Sequence, residues 1–215
     1  MTDQIRDTTS PDGASAAYPP SPWRMHGSLW LSVFRLGRDV DERHPAGIYG
    51  AAFVSYTEPS PLTYGELLVA RATRSPSGEK AVTITDIWVD SPASLAGGRA
   101  LWAIPKDLCD FDLESAFRGP LTTTTWSAMA GRRPIAEASF TDVSRVAPRA
   151  PFKGLVDQPP IAEHPGRGRA VMSGNAKALP CRSRWTFAPD GPLGFLREAR
   201  KLGSFRMADF RLKFD

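Results

Sequence analysis

The stretch Ser28-Leu29-Trp30-Leu31-Ser32-Val33-Phe34-Arg35-Leu36 puts Leu29, Leu31 and Val33 on one side of an extended chain and Trp30, Ser32 and Phe34 on the other. That two-residue period is the signature of a β-strand, whose successive side chains point to opposite faces. Similar segments follow closely. Ile48–Ser55 and Glu66–Ala72 are β-rich and are separated by the Pro59-Ser60-Pro61 turn. Ala81–Val89 alternates Val82, Ile84 and Asp86 with Thr83, Thr85 and Ile87. Leu121–Ala128 and Ile135–Thr141 read as a hairpin around Gly131-Arg132-Arg133, and Phe205–Phe214 is a nearly regular strand. Two short helices are expected. One is capped by Ser91 with Pro92 at its first position and ends near Gly97-Gly98; the other spans Pro192–Leu202. Many strands and few helices predict a mainly β (α+β) fold, an antiparallel β-barrel or cone enclosing a pocket.

Working outward, Met1–Pro22 is rich in Thr, Ser, Asp, Ala and Pro, and is expected to be a disordered tail before one domain over 23–215. Pro148–Gly168 reads as a long loop. The 215 residues are 41% hydrophobic and 23% charged, which excludes a wholly disordered chain. No stretch approaches the ~20 apolar residues needed to span a bilayer, so no membrane partner is expected. Cys109 and Cys181 lack CxxC spacing, and nothing resembles a secretory signal, so reduced thiols in the cytoplasm are expected.

The net charge is +4, and Arg167, Arg169, Lys177, Arg182 and Arg184 follow one another with no acid between them. Such a run suits a nucleic-acid groove, a solvated rim or a funnel for anions. No recognised nucleic-acid motif accompanies it, and no nucleic-acid partner is expected. His26, His44 and His164 have no metal-ligand spacing, and neither a nucleophile elbow nor a dinucleotide fingerprint occurs, so no metal and no cofactor are expected.

The segment that carries chemistry is Trp88-Val89-Asp90-Ser91-Pro92-Ala93-Ser94-Leu95-Ala96-Gly97-Gly98-Arg99-Ala100-Leu101-Trp102-Ala103-Ile104-Pro105-Lys106-Asp107-Leu108. Lys106 follows an apolar run and a proline. A lysine so placed either reaches back to water or loses its proton, and a neutral amine can attack a ketone to form a Schiff base. The Gly-Arg…Pro-Lys pattern resembles the acetoacetate decarboxylase family, in which this lysine is the Schiff-base nucleophile. Tyr64-Gly65-Glu66 resembles the family's Tyr-x-Glu, whose glutamate lies in the pocket, and Trp23–Arg35 resembles its opening strand.

The resemblance runs from about Pro22 to Asp112. It implies catalytic roles for Lys106 and Glu66; Tyr64, Trp102 and Ile104 are expected to dry the substrate pocket, and Arg99 to reach a substrate carboxylate or to sit in a scaffold ion pair. It also implies a small oxo-acid substrate and a homo-oligomer assembled through barrel edges. Asp107 replaces the family's second lysine, Ser28 falls where an arginine is usual, and Ala51 lies near another glutamate position. With the second lysine gone, desolvation is the expected driver of Lys106 activation. Lowering an amine from ~10.4 to about 7.5 takes roughly 4 kcal/mol. Three functions follow: decarboxylation of an oxo acid; an aldol, dehydration or cyclisation step on the same imine; or a barrel that binds a small ligand without turning it over.

Overall fold

The computed structural model describes residues 17–215. Twelve strands form, and the segments read from alternation form where expected: β1 (Trp23–Leu36), β2 (Gly47–Thr57), β3 (Tyr64–Arg74) and β4 (Lys80–Val89). After helix α1 (Pro92–Trp102) come β5 (Asp107–Leu108), β6 (Asp110–Arg118), β7 (Leu121–Ala130) and β8 (Arg133–Asp142). The last four are β9 (Arg149–Gln158), β10 (Gly168–Pro180), β11 (Arg182–Phe187) and β12 (Arg200–Phe214).

Seven strands, in the order β3-β2-β1-β12-β10-β9-β4, close on themselves through β3–β4 pairing. Neighbours run antiparallel except where β4 meets β9 in one parallel pair, Val82 with Val156. The four-stranded sheet β11-β8-β7-β6 lies against one side of this barrel.

The two faces of β1 explain the two cores. Leu29, Leu31 and Val33 line the barrel interior, while Trp30 and Phe34 point outward into a dense core shared with the second sheet. In that outer core Phe53 stacks on Trp126 (5.1 Å between ring centroids) and on Trp185 (5.3 Å). Of these rings Phe53 and Trp126 are fully buried, and burying such a side chain contributes about 1.5–3 kcal/mol. Asp209, in the left-handed region at φ 48°, marks the bulge in β12. The bulge shifts the alternation, so that Met207 and then Phe210, Leu212 and Phe214 all reach the interior.

Three expectations are corrected. Pro148–Gly168 contains a strand, β9. Its Pro151 pairs only with Asn175 of β10, and β9 forms a ladder pair with β4 only at Val156, so the missing proline N–H interrupts no ladder on the other side. The segment Pro192–Leu202 forms a short 3-10 turn at Gly194–Glu198 and then enters β12. Helix α1 runs four residues past Gly98. Its glycines serve close packing rather than termination: a Cβ on Gly97 would lie 2.6 Å from the Trp23 ring.

The expected tail lies, over 1–16, outside the described residues. Of the remainder, Pro19 accepts a 2.8 Å hydrogen bond from Trp23 Nε1, and Tyr18 packs beside Gly97. The loop 37–46 is tied to the barrel by His44, whose ring bridges Asp41 (3.0 Å) and Asp86 (2.9 Å). Three members of the basic run are ion-paired: Arg167 with Asp157, Arg169 with Glu79 and Lys177 with Asp209.

Candidate active site

Helix α1 begins as its sequence dictates. Ser91 is the N-cap, its side chain accepting from Ser94 N at 3.2 Å, and Pro92 supplies a first-turn residue that needs no N–H partner. The helix ends at Ala103, whose φ of 55° turns the chain. A tight turn about Pro105 follows, with Lys106 N donating to Ile104 O at 2.8 Å. This turn sends the Lys106 side chain back beneath the helix and into the barrel. Gly98 makes room for it: a Cβ there would lie 2.7 Å from Lys106 Cε and 2.8 Å from Cδ. Asp107 points the other way, to an ion pair with Arg99 at 3.0 Å, and does not pin the amine.

Glu66 and Tyr64 alternate on the inward face of β3, and Tyr56 sits opposite Tyr64 on β2. Lys106 Nζ donates to Ser94 Oγ at 2.9 Å, Glu66 Oε2 at 3.0 Å and Tyr64 OH at 3.4 Å. The amine also lies 5.1 Å from the Tyr64 ring centroid. Tyr56 OH donates to Glu66 Oε1 at 3.1 Å. Lys106 is 4% exposed and Glu66 3%. Both face a cavity of about 390 Å³ in the barrel, and they are the charged residues among its described lining.

The amine is therefore held away from water, as expected, but its charge state differs from the expectation. Burial pushes its pKa down, Glu66 and Tyr64 push it up, and the net direction is upward. That direction favours the ammonium, salt-bridged to Glu66. Burial also raises Tyr64 to about 12, with Lys106 opposing and Glu66 adding, and it raises Tyr56 well above the usual phenol value. Both phenols stay protonated.

Of the residues singled out in the sequence, the fold brings Lys106, Glu66, Tyr64, Trp102 and Ile104 to one cavity. Arg99, placed among the substrate residues, is corrected to the scaffold ion pair weighed beside that role. It lies outside, with Nε on Lys106 O (2.7 Å) and its other nitrogens on Glu163 (2.6 Å) and Asp107, so it braces the lysine's backbone instead of meeting a substrate. Ser28 and Ala51 likewise face away from the cavity; Ser28 Oγ accepts from Arg206 at 3.3 Å. Cys109 packs in the outer core, not the cavity.

Sequence reasoning passed over Ser94, Tyr56 and Gly98. A readable signal existed for two of them: Ser94, Gly97, Gly98 and Trp102 form one buried stripe of α1, with a single hydroxyl among small residues. Tyr56 carries no local signal, because its role depends on β2–β3 register.

Two predictions arise here. Gly98→Ala is expected to displace the Lys106 stem and lower imine formation about 100-fold, since a 1 Å misplacement costs that much. Its secondary structure should be retained, and a rate within twofold of the parent would refute the close-packing role. The second concerns alkali. Burial lifts the Cys109 thiol from 9.0 to about 12 and Cys181 from 9.0 to about 11. Raised folded-state values, Tyr64 included, mean protons held by the fold but lost by the unfolded chain. Their stabilisation is complete below about pH 9 and disappears as pH climbs toward 12. The urea midpoint should fall over that window, and a midpoint rising with pH would contradict the assignment.

The same architecture occurs in solved structures. The enduracididine biosynthesis enzyme MppR with HEPES buffer bound is 16% identical, with a TM-score of 0.62 over 96% of this chain and 90% of that one. MppR complexed with the condensation product of pyruvate and imidazole 4-carboxaldehyde is 17% identical, with a TM-score of 0.58 over 96% and 92%. Acetoacetate decarboxylase from Legionella pneumophila subsp. pneumophila str. Philadelphia 1 is 13% identical, with a TM-score of 0.62 over 100% and 95%. No curated protein sequence matches. The family model described as acetoacetate decarboxylase (ADC) matches residues 40–162, more than half of the 215 residues, and the chain belongs to the acetoacetate decarboxylase family.

Proposed function

We propose that this protein is a Schiff-base lyase acting on an oxo acid, with Lys106 as nucleophile and Glu66 as its proton-transfer partner. The observation that carries the reading is a lysine nitrogen, nearly excluded from solvent, 3.0 Å from a carboxylate in an apolar cavity.

Proton transfer from Lys106 to Glu66 across that hydrogen bond turns an ion pair into an amine and a carboxylic acid. The low-dielectric surroundings reduce the cost, because the neutral pair needs no solvation of separated charges. The amine attacks the carbonyl carbon. Glu66 then returns its proton to the carbinolamine hydroxyl, which leaves as water and gives an iminium. The Glu66 carboxylate and the face of the Tyr64 ring stabilise that cation.

In a 3-oxo acid the bond to the carboxylate then breaks. Its electron pair moves to the iminium nitrogen, CO2 departs and an enamine remains. The enamine carbon takes a proton from the Tyr64 hydroxyl, which regains one from solvent, and water hydrolyses the resulting iminium to ketone and free lysine. No cation other than Lys106 lines the described cavity, so a carboxylate brought there is poorly solvated and favours leaving as neutral CO2.

The same iminium can form or break a carbon–carbon bond to an aldehyde instead. The condensation product bound to MppR supports keeping that second reading. The test supplies 3-oxo acids labelled with ¹⁸O at the ketone and follows both label washout into water and CO2 release. Washout with CO2 supports the lyase. Washout alone, with aldehyde-dependent condensation, supports the aldol reading. Neither signal across a broad set of oxo acids overturns both.

A further inference from the structure

We infer that the substrate carries an unbranched aliphatic tail of about six carbons beyond a four-carbon oxo-acid head, running along the barrel axis away from Lys106; this rests on the Schiff-base reading above. Three observations support it, namely the cavity's size, its lining and its open end.

The cavity of about 390 Å³ holds about a dozen non-hydrogen groups at ~30 Å³ each, whereas a four-carbon oxo acid has about seven. The surplus volume has no polar partner. Around the amine the walls are aromatic (Trp23, Trp102, Tyr64), and toward Ala72 they become aliphatic (Leu31, Val33, Ile48). A second charge or hydroxyl on the substrate would be buried there without a hydrogen bond, which excludes dicarboxylates and sugars. Bare hydrocarbon meets no such penalty.

The passage is kept open by small residues. Ala52 of β2 and Ala70 and Ala72 of β3 face inward, whereas the space over Gly50, opposite Ala70, is taken by Leu31, whose Cδ1 would lie 3.0 Å from a Cβ there. From Glu66 to Ala72 along β3 is about 20 Å of strand, or about 15 Å along the axis of a tilted barrel. The amine end is sealed: Trp23, Met25, Trp102 and Ile104 are each at most 4% exposed. The opposite end, at Ala72, is exposed. A carbonyl group delivered head-first to Lys106 therefore leaves its tail in the barrel, pointing toward the Ala72 end. Met25, Met172 and Met207, unbranched and adaptable, can close around it.

The experiment measures capture of straight-chain 2-alkanones from three to fourteen carbons by the full chain with cyanoborohydride, read by intact mass. Half-maximal capture should tighten about fourfold for each methylene and level off near ten to twelve carbons, where the tail emerges past Ala72. Ala70→Phe, which places a ring across the passage, should reduce the preference for the ten-carbon over the four-carbon ketone at least tenfold. Equal capture at every length by the parent protein, or an Ala70→Phe variant with the parent's preference, overturns the tail while leaving the Schiff base standing. Quenching of tryptophan fluorescence by the same ketones is followed in parallel. Quenching that grows with chain length without covalent capture would overturn the Schiff-base reading and support the tail.

Discussion

Replacing Lys106 by methionine is expected to destabilise the fold by about 3–5 kcal/mol at neutral pH while abolishing imine formation. The cause is the residue left behind. With the ammonium gone, Glu66 keeps its Tyr56 hydrogen bond but loses its charged partner in a site closed to water. Stranding one member of a buried ion pair costs about that amount. In a chain of this size the loss corresponds to a melting temperature lower by about 6–20 °C. Lowering the pH should relieve much of the penalty, because a lone buried carboxylate sheds its charge by taking a proton.

The double variant Lys106→Met/Glu66→Gln should recover most of the lost stability, since removing both charges of such a pair is close to neutral. Urea unfolding of the parent, Lys106→Met, Glu66→Gln and the double variant measures this directly. A single-variant loss below about 1 kcal/mol would show that the pair is not desolvated. The expected pattern separates two reasons for keeping the pair: stability would not require it, whereas condensation with a carbonyl does.

The second large effect is expected from Glu66→Gln, and it has two parts. Turnover should fall about 10²- to 10⁴-fold, the usual contribution of a positioned acid–base group. The pH dependence of imine formation should move toward acid. In the parent, burial lowers the Lys106 pKa but Glu66 and Tyr64 outweigh it, so the amine is charged at neutral pH. Without the carboxylate, burial prevails and the amine is free at lower pH. Measuring the rate of reductive capture of one ketone from about pH 5 to pH 10 reads the shift. A profile that stays put, or moves toward alkali, would mean that Glu66 does not hold the proton on Lys106.

Much of this was legible in the sequence, for physical reasons that differ by residue. The alternation in β1 sorted Leu29, Leu31 and Val33 from Trp30 and Phe34, and those two sets became the cavity wall and the outer core. Ser91 and Pro92 marked the start of α1 because caps are local devices. The end of α1 was misread because Gly97 and Gly98 mimic a terminator, while their function is to let Trp23 and the Lys106 stem approach, which no local pattern encodes. Strand β9 was hidden by Pro151 and Gly154, which a barrel accommodates where one neighbour is absent. Arg99 sits in the motif next to the helix end, and only the fold shows that its guanidinium faces Asp107 and Glu163. The expected loss of charge on Lys106 also reversed. Its neighbour in sequence, Asp107, turns outward, and the carboxylate that sets its proton, Glu66, is 40 residues away.

The central claim, that one enclosed amine condenses with a carbonyl, is tested most directly by locating the bond. The protein is incubated with a 3-oxo acid or ketone, reduced with borohydride, digested and mapped by tandem mass spectrometry. The account predicts a single alkylated lysine, Lys106, and no adduct in Lys106→Met. Adducts spread over Lys80, Lys153 and Lys201 with Lys106 unmodified would contradict it.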